Sequence, residues 1–142
     1  MWSSILGTNI KKLQYFQNFA ARIISGNRKY DHVTPILREL QWIPVKKQLY
    51  YRNAVMAFKC MNGMVPEYLS SQFTTRETVS GRITRQSGQL NIPLFTSTIG
   101  QKTFQYRITK LWNGLPSNLR LSRTISSFKT ELRKILLDEF LK

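Results

Sequence analysis

Cysteine and histidine occur once each in this chain of 142 residues, as Cys60 and His32. A single thiol excludes an internal disulfide, and one thiol with one imidazole is too few soft ligands for a structural zinc site. Acidic residues are scarce as well: seven Asp plus Glu stand against 22 Lys plus Arg, a formal charge of +15. Asp31 and Asp138 are the only aspartates and lie far apart. The paired carboxylates that hold metal ions for phosphoryl transfer are therefore missing from the sequence pattern. No apolar run approaches the ~20 residues needed to cross a bilayer. The first residues also lack the basic-then-apolar pattern of a secretory leader. The expectation is an intracellular protein, nuclear or cytoplasmic, with no membrane partner and no cofactor or metal.

What is present is enough for a core. Hydrophobic residues make up 42% of the chain and aromatics 12%, which disfavours disorder along its whole length. The length suits one domain, 1–142. The charge excess predicts a polyanionic partner, because phosphate contacts release condensed counterions and draw a basic protein in. Nucleic acid, RNA or DNA, is the leading partner; the oligomeric state is open.

The pattern along the chain predicts a mainly α fold, a compact bundle of about five to six helices with a minor extended segment. A first helix over 9–25 places Ile10, Leu13, Phe16, Ala20, Ile23 and Ile24 at three- and four-residue steps, with Thr8 as N-cap and Gly26 as stop. A short helix follows from Thr34, read as a cap, and Pro35, read as its first residue, to about Leu40. Pro44 opens a longer helix to about Asn62, with Val45, Leu49, Met56 and Cys60 along one stripe and Tyr50, Ala54 and Ala57 beside it. Pro66 starts another to about Phe73.

The stretch 74–98 turns polar and basic, with Leu90, Ile92 and Leu94 alternating around Pro93. It reads as a flexible arm or small hairpin between a helical half, 1–73, and a second helical half, 99–142. That second half holds a helix over 101–112, a turn at Gly114 and Pro116, and a helix over 125–141. The last is capped by Thr124 and striped by Ile125, Phe128, Leu132, Ile135, Leu136 and Phe140.

No residue set reads as catalytic. Asp31 beside His32 has no nucleophile in its motif, so turn hydrogen bonding is the better explanation. Cys60 lies on an apolar stripe, where a free thiol behaves as a small hydrophobe. Trp42 and Trp112 sit next to chain reversals, placed to pack against a core or to stack on bases, and packing is the preferred reading. The basic residues exceed what solubility requires. Arg28, Lys29, Lys46, Lys47, Arg82 and Arg85 fall in turns, at helix starts and on the arm, where long side chains reach phosphates. Tyr30 and Tyr50 could add stacking.

The stretch 17–48, QNFAARIISGNRKYDHVTPILRELQWIPVKKQ, and the later block LWNGLP over 111–116 carry a resemblance. So do KCMNGMVPEYL over 59–69, the Gly-x-x-x-Phe spacing at Gly100 and Phe104, and SFKTELRKILL over 127–137. Together they make the chain resemble the C-terminal, post-polymerase region of LINE-type, jockey-like non-LTR retrotransposon reverse transcriptases, RNA-directed DNA polymerases. The likeness runs from about Leu13 to Leu137. It departs at Gln41, where the family often has Gly or Lys, and over 80–88.

The resemblance implies a non-catalytic basic module that holds template RNA or target DNA near a polymerase, chiefly through phosphates. It also makes Asp31, His32, Thr34, Pro35, Trp42, Pro44, Trp112, Asn113, Leu115 and Pro116 family signature positions, read as structural. Two alternatives stand beside it: a scaffold piece that docks its apolar helix faces on a reverse transcriptase core, and a truncated remnant without a role of its own. A large bare apolar patch would favour docking.

Overall fold

The computed structural model describes residues 2–83 and 88–141, with side chains over 7–83 and 88–140. Among the described residues it is mainly helical, with eight α-helices and no strand. These are α1 (Trp2–Ser25), α2 (Val33–Glu39), α3 (Val45–Met61), α4 (Glu67–Ser70), α5 (Arg76–Ser80), α6 (Phe104–Gly114), α7 (Ser117–Arg120) and α8 (Ile125–Leu141), with a 3-10 turn at Gly100–Lys102. The chain divides into two compact units, one of residues 1–51 and 133–142 and one of residues 52–132.

In the first unit α1 packs on α2. Ala21, Ile36 and Leu37 form a buried cluster, against which Val33, Leu40, Trp42 and Phe140 pack. Helix α1 ends in a left-handed residue, Gly26 at φ 68°. Its closing bonds run from Asn27 N to Arg22 O and from Gly26 N to Ile23 O. Helix α2 ends in the same motif: Trp42 N donates to Leu37 O at 2.8 Å and Gln41 N to Arg38 O at 2.9 Å. Here the left-handed position is taken by Gln41, at φ 53°, where a Cβ is disfavoured and glycine is the usual solution. Trp42 also packs on the cluster that contains Leu37, the apolar contact that accompanies this ending.

In the second unit Ala54, Ala57, Phe58, Leu90, Ile108, Trp112, Leu115, Leu119, Phe128 and Leu132 are buried. Phe58 stacks on Phe128 with ring centroids 4.6 Å apart. Gly100 packs so tightly on Phe95 that a Cβ would lie 2.7 Å from its ring, and Phe95 meets Tyr106 edge-on.

Several expectations are corrected. Helix α1 begins well before residue 9, so Thr8 lies inside it. Thr34 does not cap α2: it is the second helical residue, Pro35 is the third, and His32 holds the N-cap position without a side-chain bond. Helix α4 is one turn and stops at Ser70. The turn after Pro116 winds into α7.

The stretch 74–98 forms no strand in its described part, but residues 74–76 pair antiparallel with 89–91, Arg76 N donating to Gln89 O and Asn91 N to Thr74 O. It contains α5, capped by Thr75 through Thr78 N, and one antiparallel bridge between Thr75 and Leu90. Its alternation is half realised, since Leu90 is 1% exposed and Leu94 fully exposed. The α8 reading stands in full: Phe128, Leu132 and Leu136 are buried, Ile125, Ile135 and Phe140 half-buried, and Thr124 Oγ1 accepts from Ser127 N.

The largest reversal concerns α1. Leu13, Phe16, Ile23 and Ile24 of its expected core stripe are exposed, Phe16 and Ile23 each at 64%. The side turned inward carries amides. Gln14 Oε1 accepts the first amide of α3, from Val45 N, at 2.9 Å, and Gln17 Nε2 donates to Ile43 O at 2.9 Å. Gln14 Nε2 in turn donates to Gln17 Oε1 and Asn18 Oδ1. These amides satisfy backbone groups where α3 begins, a region that otherwise leaves orphan donors.

Candidate nucleic-acid interface

Arg28 and Lys29 lie in the exposed turn after α1. Asp31 closes that turn: its Oδ2 accepts from Arg28 N at 2.7 Å, and its carbonyl accepts from Arg22 Nε and Nη2 at 3.2 and 3.0 Å. The one acidic side chain of the turn is thus committed to a backbone amide. Among the described residues neither the Arg28 guanidinium nor the Lys29 ammonium pairs with a carboxylate. Lys29 Nζ instead lies 5.7 Å from the centre of the Tyr30 ring.

Lys46 is exposed in the first turn of α3. Lys47 is not a free phosphate ligand. Its Nζ pairs with Glu139 at 3.2 Å and donates to Leu136 O at 3.3 Å, tying α3 to α8 within the first unit. Arg82 is exposed after α5 in the second unit. Arg85 lies outside the described residues. Of the six predicted contacts, Arg28, Lys29 and Lys46 are exposed in the first unit, and Arg82 is exposed in the second.

Several of the positions that carry the resemblance make contacts within the fold. Asp31 closes a turn, and Trp42 and Leu37 seal the end of α2. Pro44 O accepts from Gln48 N at the start of α3. In the second unit the LWNGLP block holds the segment before it in sequence. Asn113 Oδ1 accepts from Leu90 N at 2.8 Å while its Nδ2 donates to Leu90 O at 3.0 Å. Trp112 Nε1 donates to Gly88 O, and Leu115 is buried. One side-chain amide thereby does what a neighbouring strand would do for Leu90, matching both its backbone donor and its acceptor.

A groove of about 430 Å³ opens beside the Arg28–Lys29 turn. Three rings line it, Tyr15 and Phe19 from α1 and Tyr30 from the turn, with Arg22 and Lys29 as its cations. Asn18, Ile23 and Asn27 complete the lining. Tyr30 is 90% exposed. Sequence reasoning named Lys29 and Tyr30 but missed the α1 side. The signal was there, since 15, 19 and 22 fall on one helical face, but they were masked by the stronger aliphatic stripe next to them.

Burial pushes the Cys60 thiol up, and burial with the Glu139 carboxylate pushes the Tyr50 phenol up. Among the described residues no three His, Cys, Asp or Glu side chains gather to hold a metal ion, and no helix is long and apolar enough to cross a membrane. No protein-family model, curated protein or solved structure matches the chain.

Proposed function

We propose that the chain is a non-catalytic, basic nucleic-acid-binding module of the kind found after the polymerase core in non-LTR retrotransposon reverse transcriptases, holding RNA or DNA through its phosphates. The observation that carries this reading is the Arg28–Lys29 turn. Both cations are exposed and lack carboxylate partners among the described residues, while the nearby acid, Asp31, is spent on a backbone amide. Cations free of internal partners are the ones that can exchange counterions for phosphates. Lys46 extends the same unit's basic surface, and the +15 charge of the chain supplies long-range attraction.

The test is binding to single-stranded RNA and duplex DNA over a range of salt, for the chain and for an Arg28→Glu, Lys29→Glu, Lys46→Glu, Arg82→Glu variant. Lys47 is left intact because it pairs with Glu139. Affinity should fall with salt at a log–log slope of about 0.7 to 0.9 per phosphate contacted and collapse in the variant. Salt-independent binding, or none at low salt, would refute the proposal. Primer extension by the isolated chain with template and magnesium would refute its non-catalytic part.

The exposed apolar face of α1 favours a second reading, in which that helix docks on a reverse transcriptase core. Leu13, Phe16 and Ile24 lie bare on the same helix, a feature that marks interaction surfaces. Loss of polymerase-core binding in a Leu13→Ser, Phe16→Ser, Ile24→Ser variant, with nucleic-acid affinity unchanged, would establish it.

A further inference from the structure

The groove between α1 and the turn after it has a chemistry that phosphate contacts alone do not explain. Tyr15, Phe19 and Tyr30 present rings at an opening where solvent reaches them. Rings of this kind in a basic setting are sequence-tolerant platforms for bases, since every base has a π-face. The cations beside them are positioned by the fold. The Arg22 guanidinium is held by the Asp31 carbonyl through two of its nitrogens, and Lys29 sits over the Tyr30 ring. Asn27 lies on the wall with its Nδ2 donating to Ser25 Oγ. The volume, about 430 Å³, falls within the ~300 to 1,000 Å³ typical of small-ligand sites.

We propose that this groove takes an unpaired base of an RNA strand, stacked among Tyr15, Phe19 and Tyr30 with its phosphates against Arg22 and Lys29. The inference rests on the nucleic-acid reading above and adds to it a preference for unpaired over paired strands. A duplex keeps its bases stacked inside and offers this groove only backbone. An apolar protein ridge would desolvate Arg22 and Lys29 without supplying a counter-charge, which is costly. RNA is the natural source, because its loops, bulges and ends present splayed bases without prior melting.

The experiment compares the full chain with a Tyr15→Ala, Phe19→Ala variant, both exposed positions, and with a conservative Tyr15→Phe, Phe19→Tyr variant. Each is titrated at low salt into an unpaired oligoadenylate RNA carrying a fluorescent adenine analogue, the same strand as DNA, and a fully paired RNA duplex. Circular dichroism confirms that the variants fold. The expected result is quenching of the analogue by the native chain and roughly a tenfold or greater loss of affinity for unpaired RNA in the alanine variant. Duplex affinity should be unchanged and the conservative variant should bind as the native chain does.

Salt-dependent binding that is indifferent to the alanine changes would overturn the groove assignment and leave the phosphate-binding module standing. Absence of salt-dependent binding to any strand would instead bring down the parent reading. An equal loss on the DNA strand would overturn the choice of RNA. Self-association of the native chain that the alanine variant abolishes would give the groove to a second copy.

Discussion

Helices α1 and α8 carry apolar stripes of the same spacing, yet they end in opposite environments. In α8 the stripe is buried from Phe128 to Leu136. In α1 Leu13, Phe16, Ile23 and Ile24 of the stripe are exposed, while the amides of Gln14 and Gln17 bond the backbone where α3 begins. Amphipathic periodicity therefore shows that a helix has an apolar face but not what covers it. At the start of α3, Val45 N finds its acceptor in Gln14 Oε1 and Ile43 O its donor in Gln17 Nε2, both on α1.

The comparison is broken most decisively by truncating one aromatic on each helix. Phe128→Ala removes a ring that is fully buried and stacked on Phe58, and should cost about 3–5 kcal/mol in denaturant unfolding. Phe16→Ser on α1 should move stability by no more than about 0.5 kcal/mol. If the two costs were similar, α1 would be packing its stripe in solution and the outward assignment would be wrong.

A smaller effect separates signature residues that hold the fold from those that touch ligands. Asn113→Ala strips both bonds from the Leu90 backbone, leaving a donor and an acceptor unmatched in a part-buried site. The expected cost is about 1–3 kcal/mol, with amide exchange at Leu90 accelerated and nucleic-acid affinity of the folded protein unchanged. A loss of affinity without a loss of stability would make Asn113 a ligand contact.

The smallest effect has the opposite sign. Gln41→Gly should stabilise the first unit by about 0.5–1 kcal/mol, because Gln41 occupies a left-handed position at the end of α2 where a Cβ costs about 1–2 kcal/mol and glycine's larger unfolded-state entropy offsets part of the relief. A thermal melt that falls on this change would show that the Gln41 side chain makes a compensating interaction.

Much of the fold was legible because local rules governed it. Gly26 stops α1, Thr124 caps α8 and the α8 stripe is buried as its spacing predicts. Thr34 misled because a hydroxyl before proline resembles a cap, whereas the chain already turns helical at Val33. Phe58 was missed as a core residue because α3 carries apolar residues on several sides, so no single stripe stands out. At the candidate site, Arg28, Lys29 and Lys46 were legible as exposed cations from the shortage of acids. Lys47 was not, because its partner Glu139 lies 92 residues away.

The sequence by itself determined the helical class, the end of α1, the extent of α8 and the unbalanced charge, since periodicity, caps and composition act within a few residues or over the whole chain. Only the tertiary structure decided which face of α1 is bare, that Asn113 grips Leu90 and that Tyr15, Phe19 and Tyr30 share one groove. Those outcomes depend on contacts between residues distant in sequence or on competition for buried hydrogen bonds, and neither is encoded in local spacing.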